Sequence, residues 1–382
     1  MTKLINVFEQ ITSIDTLRIA NNRALKGKRY NRFATGFSYE LMSNLISLQS
    51  ELINQSYEPE KYRNKIVLEP KIRLIEAPSY RDRVVHHAIH HFLSPFYERY
   101  FINDSYACRP KRGIHRAVKR IQYFLRTSGH NLYVCQIDVS KYYASINHDR
   151  LLELLQAKVQ DQCLIDLLKI IIESTDSGTE HDQLFAPDSY YFTKGRRGIP
   201  IGNLTSQLFA NIYLHEVDMY AKQTLKIHHY IRYMDDILIF HNDKNQLRIW
   251  QAALTHFLYD NLYLTVNPHK IRIYPTNSGV SFVGYVIYPN YMRLRSSSVK
   301  RFKKRYQKQL NSVAGGKTEP QIMIESFASW KAHASHAKTK NLIQRLESKQ
   351  WGYIAEYNMK KCINNYSLGK KKPVQLSLFD GI

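Results

Sequence analysis

The chain has 382 residues, of which 55 are Lys or Arg and 32 are Asp or Glu, so its formal net charge is +23 and its pI is near 9.7. This basic excess indicates a polyanionic partner, and a hydrophobic share of 44% is enough for substantial cores. The four cysteines form no CxxC pair, which argues against a zinc site and a disulfide framework. Since the N-terminus lacks a signal-peptide pattern and no apolar run reaches membrane length, we expect a cytoplasmic protein.

The first part of the chain is predicted to be helical and to end in a basic strand. Residues 1–65 look mainly helical, and residues 44–49 continue an amphipathic pattern. Lys71 and Arg73 then alternate on a predicted strand, so both side chains point to one face. Such a pair suits phosphate binding, and two ordinary surface cations are the other interpretation.

An apolar strand predicted over residues 132–138 ends in Asp138. A carboxylate at the end of a central strand is poorly placed for solvation and well placed to bind a ligand. The chain then passes Tyr143 and enters an amphipathic helix predicted from His148 to Val159. The segment that follows turns polar and predicts a loop over residues 174–179.

Two adjacent carboxylates, Asp235 and Asp236, lie where two short strands are predicted to reverse direction. The flanking residues 230–232 and 237–240 favour β structure. Adjacent carboxylates at a tight turn repel each other, so a cation should offset them, and a solvated turn is the alternative. Asp138 decides between the two, because three carboxylates can hold two Mg²⁺ ions about 3.5–4 Å apart for phosphoryl transfer. The sequence therefore predicts the palm of a polymerase.

Residues 291–312 contain eight basic residues and no acid, interspersed with apolar residues at helical spacing. They predict a basic amphipathic helix that grips a nucleic-acid backbone without reading its sequence; a membrane-surface helix is the alternative. Farther along, Trp330 is predicted to pack between helices, whereas His333 and His336 lack a nearby carboxylate or Cys and are not predicted to bind metal. The predicted nucleic-acid contacts are Arg293, Arg295, Lys300, Arg301, Lys303, Lys304 and Arg305.

The C-terminal tail carries a basic, Pro-marked linker followed by Gln-Leu-Ser-Leu-Phe. This sequence looks like the short peptide by which bacterial polymerases and repair proteins hold the sliding clamp. Such peptides bind in an extended conformation, and here Gln375 would enter a polar notch while Leu376, Leu378 and Phe379 supply the apolar contacts. A tail whose Leu and Phe pack back on the chain is the alternative.

Six blocks of the chain, in this order, resemble a reverse transcriptase of the group II intron/retron-like bacterial type. Within that family the chain is most similar to the class found in diversity-generating retroelements, and the resemblance covers most of its length. It implies an α/β (α+β) right-hand polymerase fold with fingers, palm and helical thumb. The blocks are residues 68–75, 81–88, 106–110, 199–207, 233–236 and 282–285. The expected subdomains are fingers at 1–130 with an insertion at 151–195, palm at 131–290, thumb at 291–352 and tail at 353–382.

The resemblance also implies roles for particular residues. Tyr143 would lie under the sugar and exclude a 2′-hydroxyl, with Tyr142 as the competing candidate and a packed core tyrosine as the plain alternative. Lys270 would protonate the departing pyrophosphate, unless it only neutralises phosphate or stays solvated. The glycine of residues 282–285 would let the primer approach closely. The implied metal ligands are Asp138, Val139, Asp235 and Asp236; the implied dNTP contacts are Lys71, Arg73, Tyr143, Ile201 and Gly202.

One segment departs from the family pattern. Pro200 and Gly202 predict a bend before an apolar helix, but most reverse transcriptases carry a glutamine where this chain has Ile201, and Ser-Pro where it has Ser206-Gln207. That glutamine contacts the incoming nucleotide and the template. Losing a positioned hydrogen bond costs about 1–3 kcal/mol of discrimination, roughly ten- to a hundredfold. We therefore hypothesise a low-fidelity enzyme, error-prone opposite template adenine.

The expected function is RNA-directed DNA synthesis, which makes cDNA from a dedicated structured RNA. The expected partners are that RNA, the RNA/DNA duplex, dNTPs, two Mg²⁺ ions (or Mn²⁺), a small accessory RNA-binding protein and the sliding clamp. A phage-defence or retron-like reverse transcriptase keeps the chemistry with another biology. An RNA-binding scaffold with a vestigial palm is the alternative of another class, but unused buried carboxylates would cost stability.

Overall fold

The computed structural model describes residues 3–68, 72–129, 131–175 and 196–367, with only the backbone of residues 364–367. It divides into two compact units. The first consists of Met1–Arg120 and Ser128–Pro275, and the second of Ile121–Thr127 and Thr276–Ile382. The subdomain boundaries expected at 130, 290 and 352 stay a prediction. Within the described ranges, no helix combines the length and the apolarity that a bilayer span needs.

Helices open the first unit, which confirms the helical prediction for this part of the chain. Side-chain oxygens of Ser13, Asn31 and Ser79 accept hydrogen bonds from backbone N–H groups at three helix starts, which stabilises each start. A two-stranded antiparallel hairpin, β1 and β2, separates the fourth and fifth helices. The elements are α1 (Phe8–Thr12), α2 (Ile14–Leu25), α3 (Arg32–Tyr39), α4 (Leu41–Ile53), β1 (Arg63–Val67), β2 (Arg73–Ala77) and α5 (Tyr80–Glu98).

A four-stranded antiparallel sheet forms the centre of the first unit. Its strands are β3 (Tyr133–Asp138), β4 (Tyr230–Tyr233), β5 (Asp236–His241) and β6 (Arg272–Pro275), in the order β4-β5-β3-β6. The predicted strand before Asp138 and the predicted acidic hairpin are thus confirmed. Ile237, Leu238, Ile239 and Phe240 are all buried, which explains why β5 reads as a continuous apolar run and not as an alternating one.

Further α-helices lie in the described ranges between residues 114 and 262. They are α6 (Ile114–Thr127), α7 (Tyr142–Ser145), α8 (His148–Gln156), α9 (Gln162–Glu173), α10 (Leu204–Met219) and α11 (Lys244–Leu262). Helix α11 packs on β3 and β5, whereas α10 packs on α5 and α8. The helices predicted at 148–159 and 206–214 are confirmed as α8 and α10. The loop predicted over 174–179 lies mostly outside the described residues.

Beside residues 121–127 of α6, the described part of the second unit contains a three-stranded sheet and three α-helices. These are β7 (Val280–Phe282), β8 (Tyr285–Ile287), β9 (Met292–Leu294), α12 (Ser296–Ala314), α13 (Pro320–Ala334) and α14 (Lys340–Ser367). Val283 and Gly284 form the two-residue turn between β7 and β8, with φ values of 42° and 89°. Positive φ at both positions is typical of a type I′ turn, so the predicted strand turn is confirmed.

Helix α12 is the basic amphipathic helix that the sequence predicts. Its apolar face buries Phe302, Tyr306 and Leu310. Trp330 of α13 stacks on Phe302 with ring centroids 4.2 Å apart and planes 5° apart, which confirms its packing role. The cations of α12 lie on the opposite, exposed face.

Candidate active site

A tight turn between β4 and β5 presents the two adjacent carboxylates. Tyr233 pairs with Asp236 across the hairpin, so Met234 and Asp235 form a two-residue loop. Met234 has a φ of 54°. Positive φ at the first of two loop residues is a feature of type II′ turns, whose twist matches that of the flanking strands. The hairpin therefore presents both acids at the end of the sheet.

The third carboxylate lies directly beside this turn. In the register of β3 and β5, Asp138 is the partner of Asp236. The backbone N–H of Val139 donates to the Asp235 carbonyl oxygen at 3.4 Å, and the Val139 side chain is buried. Asp138 is therefore adjacent to Asp235 and Asp236 at one end of the central sheet, although almost a hundred residues separate it from them in sequence.

Lys270 reaches the same acids from a short 3₁₀ turn, Pro268–Lys270. The turn is held in place because the Asn267 N–H donates to the Asp138 carbonyl oxygen at 3.1 Å. The Lys270 ammonium donates to Asp138 Oδ2 and forms an ion pair with it. The structure thus places Lys270, the predicted general acid, beside the three carboxylates.

Burial dominates the electrostatics of Asp235. Burial raises the pKa of Asp235, and the charge of Asp138 raises it further, while Lys270 and Arg73 act in the opposite direction. Arg73, at the start of β2, is exposed and close enough to influence Asp235. Lys71, predicted to act with Arg73, lies outside the described residues.

The donor set fits a hard divalent cation. In the part of the chain that the structure describes, no three His, Cys, Asp or Glu side chains are already gathered into a metal cage. Carboxylate oxygens are nevertheless the ligands that Mg²⁺ prefers. Lys270 already forms an ion pair with Asp138, so a positive charge is present beside the acids. Asp138, Asp235 and Asp236 are the residues that would hold such ions.

The structure separates the two candidate tyrosines that follow β3. Tyr142 is buried, and its hydroxyl donates to the Ala210 carbonyl oxygen at 2.5 Å, so it is a core residue. Tyr143 is half-buried, and its hydroxyl lies 3.6 Å from the sulfur of Met234 in the acidic turn. Burial raises the pKa of Tyr143, and nearby Cys108 raises it further. Of the two, Tyr143 is the one placed at the acids.

The segment around Ile201 is fixed between β2 and Tyr143. The Glu76 N–H of β2 donates to the Ile201 carbonyl oxygen at 3.1 Å, and the Ile199 N–H donates to the Tyr143 carbonyl oxygen at 2.9 Å. A Cβ atom on Gly202 would lie 2.1 Å from the Glu76 carbonyl oxygen, so any larger residue would push the segment away from β2. Two of the predicted dNTP residues, Tyr143 and Ile201, thus lie in segments that backbone hydrogen bonds join.

A buried ion pair beneath the turn was not anticipated from the sequence. Arg232 and Asp218 are both fully buried and 2.7 Å apart. The same guanidinium donates to the Met234 carbonyl oxygen at 3.1 Å and to Asn211 at 3.2 Å. Burial lowers the pKa of Arg232, but Asp218 more than offsets this and leaves it above its ordinary value. A lone cation within an apolar strand was the available sign of a buried partner.

The predicted nucleic-acid contacts lie in the second unit. Lys300, Arg301, Lys303, Lys304 and Arg305 are all exposed on α12. Contact with the phosphate backbone of a nucleic acid requires exposed cations, because the phosphates approach from solvent.

Two further cations of that set precede the helix. Arg293 is exposed and stacks over Tyr288 and Tyr291, whereas Arg295 is partly buried. His333 contacts the Tyr285 hydroxyl through Nδ1 at 2.9 Å.

The peptide predicted to bind the clamp lies outside the described residues; it comprises Gln375, Leu376, Leu378 and Phe379.

Comparison with known proteins places the chain in a family. Residues 62–287 match the family described as reverse transcriptase (RNA-dependent DNA polymerase). This match covers more than half of the chain and contains the acidic turn, Asp138, Tyr143, Ile201 and Lys270. The chain therefore belongs to the reverse transcriptase family, and the predicted right-hand polymerase fold is confirmed.

Curated relatives agree with the group II intron/retron-like type. The chain is 25% identical over 281 residues to Protein YkfC of Escherichia coli. The matched region covers 64% of this chain and 71% of that protein. It is 27% identical over 193 residues to the group II intron-encoded protein LtrA of Lactococcus lactis, which covers 50% of this chain and only 30% of LtrA. A solved telomerase structure from Candida albicans is similar at 14% sequence identity and a TM-score of 0.43. The matched region covers 78% of this chain and 59% of the telomerase chain.

Proposed function

We propose that the chain is an RNA-directed DNA polymerase that makes cDNA from a dedicated structured RNA by two-metal nucleotidyl transfer. The observation that carries this proposal is the meeting of Asp138, Asp235 and Asp236 at one end of the central sheet, with Lys270 bound to Asp138. A reverse transcriptase of the diversity-generating type is the form that we favour, and the cytoplasm is the expected location.

Each residue of the site has a task in this reaction. Bound Mg²⁺ would activate the primer 3′-hydroxyl and neutralise charge on the leaving pyrophosphate. Arg73 is exposed and positioned to contact the triphosphate. Lys270 holds a proton beside Asp138 that can pass to the pyrophosphate oxygen as the bond breaks. The Tyr143 hydroxyl lies 3.6 Å from the Met234 sulfur in the acidic turn, and the Tyr143 ring would exclude a 2′-hydroxyl on the incoming nucleotide.

Low fidelity follows from the side chain at position 201. The segment is tied to β2 and to the Tyr143 backbone, yet Ile201 offers no polar group to test base-pair geometry. We expect Ile201→Gln to lower misincorporation by about ten- to a hundredfold, most clearly opposite template adenine. Sequencing of cDNA made on a defined RNA measures this, with Ile201→Leu as an apolar control. An unchanged error spectrum in Ile201→Gln would contradict the low-fidelity proposal.

The partners form a separate part of the proposal. A small basic accessory protein would help to hold the template RNA, and the Gln-Leu-Ser-Leu-Phe peptide would hold the sliding clamp and raise processivity. Purified clamp should be retained by the full chain and lost with Leu378→Ala/Phe379→Ala. Equal retention by both chains would contradict the clamp contact.

Template identity tests the proposal as a whole. The chain is purified with the RNA that it carries from its native host and is then supplied with labelled dNTPs and Mg²⁺. We expect labelled cDNA whose sequence maps to a structured RNA of the host. Labelled product that maps to bulk cellular RNA would contradict a dedicated template, and absence of product would favour an RNA-binding scaffold.

A further inference from the structure

Outside the active site, a run of cations and aromatic residues joins α2 to α3. We call residues 26–33, Lys-Gly-Lys-Arg-Tyr-Asn-Arg-Phe, the basic-aromatic segment. Its four cations, Lys26, Lys28, Arg29 and Arg32, are all exposed, and the segment contains no acid. A positive run of this density attracts a polyanion.

The aromatic side chains of this region are also exposed. Tyr30 is completely exposed and Tyr39 is 89% exposed, while Phe33 is half-exposed. Aromatic rings usually contribute to a core, and rings left in water beside cations are typical of a binding surface. Every nucleobase has a face that can stack on such a ring.

A contact between Arg63 and Phe33 joins the segment to the β1–β2 hairpin. The Arg63 guanidinium carbon lies 3.4 Å from the centre of the Phe33 ring. Lys65, also on β1, is exposed. The cations of the hairpin therefore extend the surface of the basic-aromatic segment.

A cavity of about 470 Å³ opens beside Phe33, large enough for one nucleobase. Its walls provide flat aromatic and guanidinium faces together with two carboxylates. An unpaired base needs flat faces for stacking and polar groups for its edge, whereas a phosphate would be repelled by the two acids. The side chains that provide these groups are Phe33, Tyr39, Glu40, Glu60, Arg63 and Arg81.

We propose that the basic-aromatic segment and the adjoining cavity bind single-stranded RNA, with phosphates on the cations and an unpaired base stacked against the aromatic rings. The choice of RNA rests on the proposed function, because in reverse transcription the RNA supplies the unpaired strand and the new DNA is paired to it. Single strands expose the base faces that the rings can stack on, and duplexes do not.

Removal of the segment's charge tests the phosphate contacts. Fluorescence anisotropy with a labelled single-stranded RNA is measured over a range of salt concentrations for Lys28→Ala/Arg29→Ala/Arg32→Ala. Three lost phosphate contacts should flatten the log–log salt slope by about 2, since each contact on a single strand contributes about 0.7. The matched control, Lys169→Ala/Lys244→Ala/Arg248→Ala, removes three exposed helical cations elsewhere. Equal slopes for the two triple variants would overturn the proposal.

Removal of an exposed ring tests stacking. We expect Tyr30→Ala to weaken RNA binding by about five- to a hundredfold, while Tyr30→Phe retains it because the ring face is kept. Tyr259→Ala removes a ring that is 63% exposed on α11 and should change little. Equal affinity for Tyr30→Ala and the unchanged chain would overturn the stacking contact.

Two further measurements separate this inference from the proposed function. Asp235→Asn/Asp236→Asn should abolish DNA synthesis but keep RNA affinity. Suppose that the unchanged chain makes no DNA, and that the substitutions in the basic-aromatic segment still lower RNA affinity. The proposed function then fails and the inference stands. Equal competition by duplex DNA or by an acidic peptide would overturn the inference, since it would show an unselective anion surface.

Discussion

Arg232 and Asp218 form an ion pair that is fully buried, with Nη2 and Oδ2 2.7 Å apart, directly beneath the turn that presents Asp235 and Asp236. The Tyr230 hydroxyl donates to Asp218 at 2.7 Å, and Arg232 donates to the Met234 carbonyl oxygen. A buried guanidinium of fixed geometry thus connects α10 to the acidic turn. Arg232 thereby holds the carbonyl group of Met234, the residue directly before Asp235.

Loss of one partner should expose the cost of the other. We expect Asp218→Asn to lower the free energy of unfolding by about 3–5 kcal/mol, because Arg232 keeps its buried charge without a counter-ion. Urea unfolding of the full chain measures this. Asp260→Asn, at an exposed position of α11, should lie within about 0.5 kcal/mol of the unchanged chain. Similar losses for the two variants would contradict the role of the pair.

The close approach of Gly202 to β2 predicts a sharp difference between two glycine substitutions. Gly202→Ala places a methyl group 2.1 Å from the Glu76 carbonyl oxygen, so the segment that carries Ile201 must move. We expect primer extension to fall by about tenfold or more, since small displacements at a reacting site are costly. Gly352→Ala, on α14, where a Cβ meets nothing within 4 Å, should leave synthesis unchanged. Full activity of Gly202→Ala would refute this packing.

Burial of His86 predicts a dependence of stability on pH. Burial lowers the pKa of His86 to about 3, and its ring lies 2.8 Å from the Thr205 hydroxyl. Below its ordinary pKa of 6.5, the unfolded chain takes up a proton that the folded chain does not accept until about 3. Stability from this group is therefore complete above pH 6.5 and falls across that window. Between about pH 7 and pH 5.5, the expected loss is roughly 1.3 kcal/mol.

Urea unfolding at the two pH values, repeated with His86→Gln, isolates this contribution. The variant lacks the titrating ring, so its free energy of unfolding should fall by roughly 1.3 kcal/mol less than that of the unchanged chain. Parallel losses in both chains would show that other groups cause the pH dependence.

The stack of Trp330 on Phe302 predicts a stability difference between two tryptophans. Trp330→Ala should destabilise the second unit by about 2 kcal/mol, because it removes a large, partly buried ring. Trp351→Ala removes a ring that is 67% exposed and should cost much less. The two variants are compared by their thermal unfolding and by the protection of α12 amides against hydrogen exchange. Equal protection of α12 in the two variants would argue against the stack as a stabilising contact.

Local sequence pattern was sufficient for the elements that carry the acids. The apolar run into Asp138 and the two runs around Asp235 predicted β3, β4 and β5 correctly, because central strands lack polar alternation. Their adjacency followed from chemistry, since one metal site needs several carboxylates. The basic helix α12 was also predictable, because its apolar residues recur at helical spacing.

Contacts between distant segments were not predictable in this way. The pairing of Arg232 with Asp218 depends on how α10 crosses the hairpin, and residue spacing says nothing about that crossing. The approach of Gly202 to Glu76 is likewise a backbone contact between segments more than a hundred residues apart. The choice between Tyr142 and Tyr143 needed the rotation of a four-residue helix, α7, about its own axis.

The most direct test of the proposed polymerase is DNA synthesis on an RNA template–primer with labelled dNTPs and Mg²⁺, for the full chain beside Asp235→Asn and Asp236→Asn. Asp15→Asn is the matched control, since that side chain is 86% exposed and far from the acids in sequence. We expect synthesis by the full chain and by Asp15→Asn, and a loss of at least about a thousandfold in each of the other two variants. Synthesis that survives Asp235→Asn and Asp236→Asn would contradict it.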